Sequence, residues 1–572
     1  MASFLRSAAA AAFVLTLAAP SQGLAESSPG DYLAARHAQY ANDFEAAARY
    51  YARALARDRK NPELMENVVL AQLALGRIDK ALSVAKLIES KGLRSQVAHM
   101  VVVANLIAEG DYEGLLARDL EAKGIGPLVD GLMTAWAKLG AGDTDAAFAA
   151  FDDVAAQNGL RVFALYHKAL ALAFTGDFTA AEQVFSADDG GLSRMSRRGA
   201  IARAEILSQL GRNDDALDVL ADAFGRGFDP GLTDVADRLA AGETLTFTHI
   251  TSVQDGMAEV FFSIGSALKG EASDDYALVY SRMAGFLRPD HIDAILLSAE
   301  LLDRLRQYDL AVAMYRKVSA ASPDHHAAEL GRAEALRRAA KPDAAIEVLN
   351  QLAEEYPTLP IVHSALGDLL RQQEDYGLAV EAYDKAIAFT EEGAPSQWVL
   401  LYARGISHER LKNWEKAEAD FRKALALNPE QPQVLNYLGY SLVERQEKLD
   451  EALGMIQRAV SARPDSGYIV DSLGWVLYRL GRYKEAVGHM EKAVELMPVD
   501  PVVNDHLGDV FWAVGRYREA EFQWKRALSF IEPDDTDGEA DPDRIRRKLE
   551  VGLEAVLAEE GAPPLKVANG DK

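Results

Sequence analysis

The chain has 572 residues, of which 49% are hydrophobic and 26% charged, and its formal net charge at pH 7 is -26. This acidity opposes binding to phosphate backbones or anionic lipid surfaces, so we expect no nucleic-acid partner. The absence of cysteine excludes disulfides, thiol catalysis, thiolate metal sites and a lipidated N-terminal cysteine, and therefore a direct lipid anchor of that type.

The first 25 residues have the order of a secretory signal peptide. Arg6 precedes an apolar run over residues 8–19, and the small residue Ala25 comes directly before Glu26. The run is shorter than the roughly 20 residues that a membrane-spanning helix needs, which makes a retained anchor the weaker alternative. We predict a signal peptide at 1–25, cleavage after Ala25 and a periplasmic mature chain.

Residues 31–225 carry a degenerate repeat of turns and small residues. Six turn triplets recur at intervals of 32 to 35 residues: NDF (42–44), GRI (76–78), GDY (110–112), GDT (142–144), GDF (176–178) and GRN (211–213). Three positions after each turn stands an alanine, except that the third turn has Leu115 there. This pattern predicts six helical hairpins.

Residues 226–256 interrupt the period. The stretch GETLTFTHITSVQDG (242–256) is rich in Thr, Phe, Ile and Val, which disfavour helix and suit extended backbone. We predict an irregular junction here, and the boundary between two arrays.

A sharper repeat fills residues 257–532. From Tyr468 to Pro498 the small residues Gly474, Ala486 and Ala493 precede the closing proline. The small-residue pattern has a period near 34 and also begins at Gly265, Ala299, Ala333, Gly367, Gly405, Gly439 and Gly508. Small residues fit where two helices cross closely, and proline fits where the second helix has stopped. The pattern predicts eight more hairpins.

These residues resemble the tetratricopeptide repeat (TPR) family, whose pattern has the same small residues, a closing proline and a large residue in the second helix. That large residue is Tyr383, Phe421, Met490 or Trp524 in four of the units. The resemblance implies an all-α fold: a right-handed superhelical solenoid of about 14 helix-turn-helix units with a C-terminal capping helix.

The C-terminal residues predict the end of the solenoid. An acidic linker and an amphipathic capping helix are expected within 533–560, with Asp541 as the N-cap of a helix over 541–560. Solenoids need a terminal element with a polar outer face. Residues 561–572 are predicted to be a disordered tail.

No motif for catalysis or for metal binding has the partners that its chemistry requires. Ser83 and Lys86 have S-x-x-K spacing without a companion motif. The DDTDG stretch (534–538) resembles a calcium loop, but Pro533 stands where the first ligand belongs. We therefore expect no enzyme activity, no cofactor and no metal.

One face of the first helices carries the candidate binding site. Positions -3, +1 and +4 from the small residue share a helix face, and the resemblance implies that this face lines a concave groove for partner proteins or peptides. In the last four units the face is aromatic and acidic. The predicted partner-binding residues are Tyr402, Asn436, Tyr440, Tyr468, Asp471, Trp475, Tyr478, Asp505, Asp509 and Trp512. The alternative is that these rings pack against the terminal helix or a neighbouring repeat.

The stretches ITSVQDGMAEVFFSIGSAL (250–268) and LNYLGYSLVERQEKLDEA (435–452) resemble bacterial periplasmic TPR adaptors that partner carboxy-terminal processing proteases. The resemblance implies a scaffold that binds proteins and delivers substrates to such a protease. The alternative is a TPR component of envelope polysaccharide or outer-membrane assembly machinery.

Overall fold

A computed structural model describes residues 29–187, 196–225, 228–531 and 540–565. Within these ranges the chain forms 32 α-helices and no β-strand. The all-α solenoid of helical hairpins is confirmed, and the number of helices agrees with about 14 repeats. The predicted signal peptide and residues 566–572 of the predicted tail lie outside the described ranges.

The chain divides into two compact units, the first ending at Val348 and the second beginning at Leu349. The helices of the first unit are α1 (Pro29–Tyr40), α2 (Phe44–Arg57), α3 (Pro62–Ala74), α4 (Ile78–Ser90), α5 (Gln96–Ala108), α6 (Tyr112–Leu116), α7 (Leu120–Lys123), α8 (Pro127–Gly140), α9 (Thr144–Ala155), α10 (Arg161–Phe174), α11 (Phe178–Ser186), α12 (Arg197–Gln209), α13 (Asn213–Phe224), α14 (Pro230–Ala240), α15 (Val253–Leu268), α16 (Asp274–Leu287), α17 (Ile292–Arg304), α18 (Tyr308–Tyr315) and α19 (His325–Arg338).

Helix α20 (Pro342–Glu355) contains the boundary between the units. The second unit continues with α21 (Pro360–Gln372), α22 (Tyr376–Phe389), α23 (Gln397–Arg410), α24 (Trp414–Leu427), α25 (Pro432–Glu444), α26 (Leu449–Ala462), α27 (Gly467–Arg479), α28 (Tyr483–Leu496), α29 (Pro501–Ala513), α30 (Tyr517–Phe530), α31 (Pro542–Val551) and α32 (Leu553–Glu559).

The Gly-Asp turns predicted in the N-terminal array both end one helix and start the next. Gly142 has a φ of 87°, a left-handed conformation in which a side chain would be strained. Asp143 then caps α9 by accepting a hydrogen bond from the backbone N–H of Ala146 at 3.1 Å. Gly176 and Asp177 repeat the arrangement before α11. The turn residues therefore define the hairpins locally.

The small residue of the first helix lies against the large residue of the second helix. A Cβ atom added at Gly474 would lie 2.1 Å from Met490 Sδ, far closer than any normal contact. Gly367, Gly405 and Gly508 would meet the same obstruction from Tyr383, Phe421 and Trp524, respectively. The small residue and the large residue that recur in the predicted pattern are thus the two halves of one contact.

The first unit is folded back on itself. Helix α15 packs against α8, and α16 packs against α3 and α5. Arg282 on α16 donates a hydrogen bond at 2.9 Å to the carbonyl oxygen of Ala74, at the end of α3. Gly256 on α15 lies against the Trp136 ring, and a Cβ atom added at Gly256 would be 2.5 Å from the nearest ring atom. The structure therefore adds contacts between distant repeats to those between neighbours.

The sequence predicts an irregular junction at 226–256, but in the structure this segment contains a helix, α14. Asp229 caps this helix by accepting from Leu232 N, and Pro230 occupies its first turn. Residues 241–252 are non-helical, as their composition predicts. The Glu205 carboxylate accepts a hydrogen bond from the backbone N–H of Thr248 at 3.0 Å. The segment therefore packs inside the first unit and does not form the boundary between the two units.

The predicted helix over 541–560 is two helices, α31 and α32, separated at Gly552. Gly552 has a φ of 85°, and a Cβ there would lie 2.6 Å from the Trp512 ring. Close packing on Trp512 thus requires both the glycine and the break. Asp541 is the N-cap as predicted, accepting from Asp543 N and Arg544 N.

No helix within the described ranges combines the length and the apolar character needed to cross a bilayer.

Candidate partner-binding surface

A cavity of about 540 Å³ opens on the first helices of the last four hairpins, within the second unit. Helices α25 and α27 contribute Asn436, Tyr440, Tyr468 and Asp471, which are four of the predicted partner-binding residues. The common helix face places these side chains together, because successive first helices present equivalent positions to the same side. The rest of the lining includes Glu409, Arg410, Lys412, Trp414, Tyr437, Ser441, Glu444, Arg445, Ser472, Met497, Asp500, Val502 and Val503.

The cavity has a buried polar floor and an aromatic rim. Asn436 and Asp471 are 7% and 5% exposed, respectively, and Ser472 is also buried. Tyr468 is 49% exposed and Tyr440 is half-buried. A partner side chain that entered would therefore pass between rings before reaching polar groups.

One floor atom has an unmet hydrogen-bonding need. The Oδ1 atom of Asn436 is buried and accepts no hydrogen bond from the described residues. A buried acceptor without a donor is costly, by about 1 to 3 kcal/mol. The lining thus holds one buried acceptor, Asn436 Oδ1, and one buried donor, Trp414 Nε1, that the described residues leave unpaired.

Asp471 is held by a histidine that the sequence analysis missed. His506 on α29 lies 3.0 Å from Asp471 Oδ2 through its Nδ1 atom. Burial lowers the pKa of His506, but Asp471, with Asp505 and Asp509 near by, outweighs burial and leaves the pKa above its usual value. No sequence signal marks His506, because this contact joins adjacent repeats.

Trp475 and Tyr478 lie in the interior, 8% and 7% exposed. The Trp475 ring stacks on Tyr478 at 4.8 Å and on His506 at 3.9 Å between ring centres. Its Nε1 atom donates to Glu444 at 2.7 Å. The two rings thus pack between neighbouring repeats, as the alternative interpretation expects, and we leave them out of the proposed contact surface.

Asp505, Asp509 and Trp512 are covered by the C-terminal helices. Lys548 of α31 donates to both oxygens of Asp505 at 2.8 Å and to Asp509 at 2.6 Å. Burial raises the pKa of Asp505, although Lys548 opposes the rise. Trp512 donates through Nε1 to Glu554 of α32. This part of the predicted stripe is occupied by the chain itself.

Tyr402 lies outside the cavity lining. Its ring contacts Phe421 and Tyr437, with ring centres 6.1 and 5.9 Å apart, respectively. Burial raises the pKa of Tyr402 to about 12. Of the ten predicted residues, the structure therefore brings four to one open cavity.

Among the described residues, no group of three or more His, Asp or Glu side chains is placed to hold a metal ion.

The helix pairs and the open face of their first helices define a class, the helical-repeat scaffold. Family models described as tetratricopeptide repeat match residues 32–92, 132–190, 304–369, 362–392, 402–467 and 470–498, together just over half of the chain. The chain belongs to the tetratricopeptide repeat family. Proteins of this family bind other proteins or peptides.

Individual relatives match over short stretches. The TPR repeat-containing protein PA4667 of Pseudomonas aeruginosa is 35% identical over 102 residues, 17% of this chain and 17% of that protein. The E3 ubiquitin-protein ligase CHIP of Arabidopsis thaliana is 29% identical over 122 residues, 20% of this chain and 42% of that protein. The chain thus spans less than half of each curated relative.

A solved structure, the APC/C hetero-tetramer Cut9–Hcn1, aligns with 92% of this chain and 96% of its own, at 14% identity and a TM-score of 0.38.

Proposed function

We propose that the chain is a protein-binding scaffold whose contact surface is the cavity between α25 and α27. The observation that carries this proposal is a cavity rimmed by Tyr440 and Tyr468 whose floor includes Asn436, a buried amide with an unpaired acceptor. Tyrosine rings contribute large contact areas and dominate many interfaces. The scaffold acts by holding partners, without chemistry of its own.

Site-specific photocrosslinking in cells that naturally produce the protein tests this assignment. A photoreactive phenylalanine at position 468 should give protein adducts, because Tyr468 lies on the rim. The same residue at position 522 is the matched control, since Phe522 is 59% exposed but does not line the cavity. Equal adducts from both positions would show that the cavity is not the contact surface.

Removal of the rim should weaken the captured complex. In Tyr440→Ala/Tyr468→Ala we expect a loss of affinity of at least about tenfold, on the scale of one or two interface anchors. Phe522→Ala should bind as the wild type does. Unchanged affinity in a folded double variant contradicts the proposal.

We also propose a periplasmic location, for which the support is the order of charged, apolar and small residues in 1–25. N-terminal sequencing of the fractionated protein should find Glu26 as the first residue. Met1 at the N-terminus of a cytoplasmic protein would refute this proposal.

We further propose delivery of substrates to a carboxy-terminal processing protease, on the resemblance of residues 250–268 and 435–452 to such adaptors. The purified chain should copurify with the protease and accelerate cleavage of a bound substrate. Recovery of polysaccharide or outer-membrane assembly proteins instead, with no effect on proteolysis, would support the alternative role and refute delivery.

A further inference from the structure

We infer that the partner segment seated in this cavity carries a lysine or arginine next to a large apolar side chain, with the cation directed to the Asn436 and Asp471 floor. This inference rests on the proposed function, because it specifies the partner chemistry of the same surface.

The chain itself contains an example of such recognition at the next repeat. Lys548 is fully buried, with its Nζ atom between the carboxylates of Asp505 and Asp509 and 5.6 Å from the centre of the Trp524 ring. Ile545, about one turn earlier on α31, is also fully buried. The covered part of the face thus binds an apolar residue and a cation that are three positions apart.

The open cavity continues the face that α31 covers. Asp505 stands three residues before Gly508, just as Asp471 stands before Gly474 and Asn436 before Gly439. These three positions are equivalent in successive repeats, and each has an oxygen acceptor. The acceptor that receives Lys548 therefore has counterparts in the cavity floor.

The floor acceptors favour a donor over an acidic group. Asn436 Oδ1 has no donor among the described residues, and the two oxygens of Asp471 lie 3.2 and 3.0 Å from His506 Nδ1, which leaves each oxygen able to accept a further hydrogen bond. Glu444, on the rim, accepts from Trp475 and is otherwise exposed. A carboxylate placed among Asn436, Asp471 and Glu444 would face three groups that accept hydrogen bonds, whereas an ammonium or guanidinium group can donate to them.

The cations on the rim are already close to acidic side chains. Arg445 lies 3.0 Å from Glu447 and over the Trp414 ring, and Arg410 lies 3.7 Å from Glu409. Lys412 is exposed at the turn after α23. These three cations lie around the opening of the cavity. The polar groups of the buried floor therefore determine which partner side chain binds inside. Tyr440 and Tyr468 provide ring surface for the stem of a lysine or arginine.

Selection from a phage-displayed library of random 12-residue peptides tests the inference on the full chain. Peptides are selected on the wild type and counter-selected on Tyr440→Ala/Tyr468→Ala, so that those retained depend on the cavity. We expect enrichment of Lys or Arg with an apolar residue one to four positions away.

The outcomes separate the two proposals. Cavity-dependent peptides that lack basic residues, or are acidic, overturn the inference and leave the proposed function standing. If no peptide depends on Tyr440 and Tyr468 while the wild type and variant have equal circular dichroism melts, the proposed function fails as well.

A synthetic peptide then assigns the floor atom. Replacing its lysine by norleucine should weaken binding to the wild type by about tenfold, the scale of one charged hydrogen bond. In Asn436→Leu the same replacement should have a much smaller effect. An undiminished preference for lysine in folded Asn436→Leu would place the cation elsewhere and overturn the assignment.

Discussion

At the residue scale, the distance between paired helices depends on a glycine opposite a large side chain. Gly474 and Met490 form such a pair, and the space that a Cβ at position 474 would need is already filled by sulfur. Gly488, in contrast, is exposed on α28, and a Cβ there would have nothing within 4 Å. Position 474 therefore requires glycine, whereas position 488 in the same repeat has room for a side chain.

Gly474→Leu should lower the free energy of unfolding of the second unit by about 1 to 3 kcal/mol or more, because overpacking forces α27 and α28 apart. Gly488→Ala should raise it by about 0.5 to 1 kcal/mol, since alanine is the better helix former. Urea denaturation measures both changes. Equal effects of the two substitutions would contradict the close crossing at Gly474.

His167 is a buried neutral group in the first unit. Its Nδ1 atom accepts from Trp136 Nε1 at 3.3 Å, and its Nε2 atom lies 3.1 Å from the Ser263 hydroxyl. Burial lowers the pKa of His167 to about 4. The unfolded chain, with a histidine pKa near 6.5, therefore binds this proton at a higher pH than the folded chain does.

The first unit should lose stability as the pH falls from about 6.5 to about 4, because the unfolded state then binds more protons. His167 contributes roughly 3 kcal/mol to the full change. Hydrogen exchange of α8 and α10 measures this effect, as the loss of protection between pH 7 and pH 4.5. This loss should be smaller in His167→Gln than in the wild type. His37→Gln, at an exposed position on α1, should leave that loss unchanged. If both variants behave alike, titration of His167 is not a source of acid sensitivity.

At the element scale, α31 is attached to the last repeat through a buried ion cluster. Lys548 lies between two buried carboxylates, and its single positive charge offsets part of the repulsion between them. Because such groups are strongly desolvated, the removal of one partner costs more than the intact cluster contributes.

Lys548→Met should destabilise the packing of α31 on α29 and α30 by about 3 to 5 kcal/mol, and adding Asp505→Asn and Asp509→Asn should recover part of the loss. Lys525→Met is the control, since the Lys525 side chain is 64% exposed. Hydrogen exchange of α29 to α31 reports the change. A Lys548→Met variant as stable as the control would show that the cluster does not hold the cap.

The hairpins could be predicted from sequence because their causes are local. Gly474 and Met490 belong to one repeat, and Gly142 and Asp143 are adjacent. The fate of Trp475 could not be predicted in the same way. Its ring is covered by His506 of the next repeat, while helix periodicity states only which face it occupies.

The candidate site could be predicted from the sequence only where it depends on the repeat spacing. Periodicity brought Asn436, Tyr440, Tyr468 and Asp471 to one cavity, since equivalent positions of stacked helices adjoin. Covering of Asp505 and Asp509 by α31 joins residues that are 43 and 39 positions apart in the chain, a contact that no repeat spacing encodes. The break at Gly552 has the same origin.

At the scale of the whole molecule, the two units differ in how far their contacts reach. Among the described residues of the second unit, each hairpin packs mainly on its neighbours, and α31 adds a further contact to the last hairpin. In the first unit, α15 and α16 join helices from well-separated repeats. Perturbations should therefore spread differently in the two units.

Gly256→Leu should reduce hydrogen-exchange protection in α8 as well as α15, because the new side chain would displace Trp136. Gly474→Leu should reduce protection mainly in α25 to α30. Mass-spectrometric hydrogen exchange on the full chain compares the two variants. A loss confined to α15 and its sequence neighbours in Gly256→Leu would contradict the folded-back arrangement.

The return of α16 to α3 also sets a waiting time during synthesis. Arg282 reaches the carbonyl group of Ala74 across 208 residues of chain. Ribosomes add about 5 to 20 residues per second, so roughly 10 to 40 s separate the appearance of these two groups. Helices form in microseconds, much faster than this interval, so the apolar surface of the early repeats that α15 and α16 cover stays exposed to water until those helices are made.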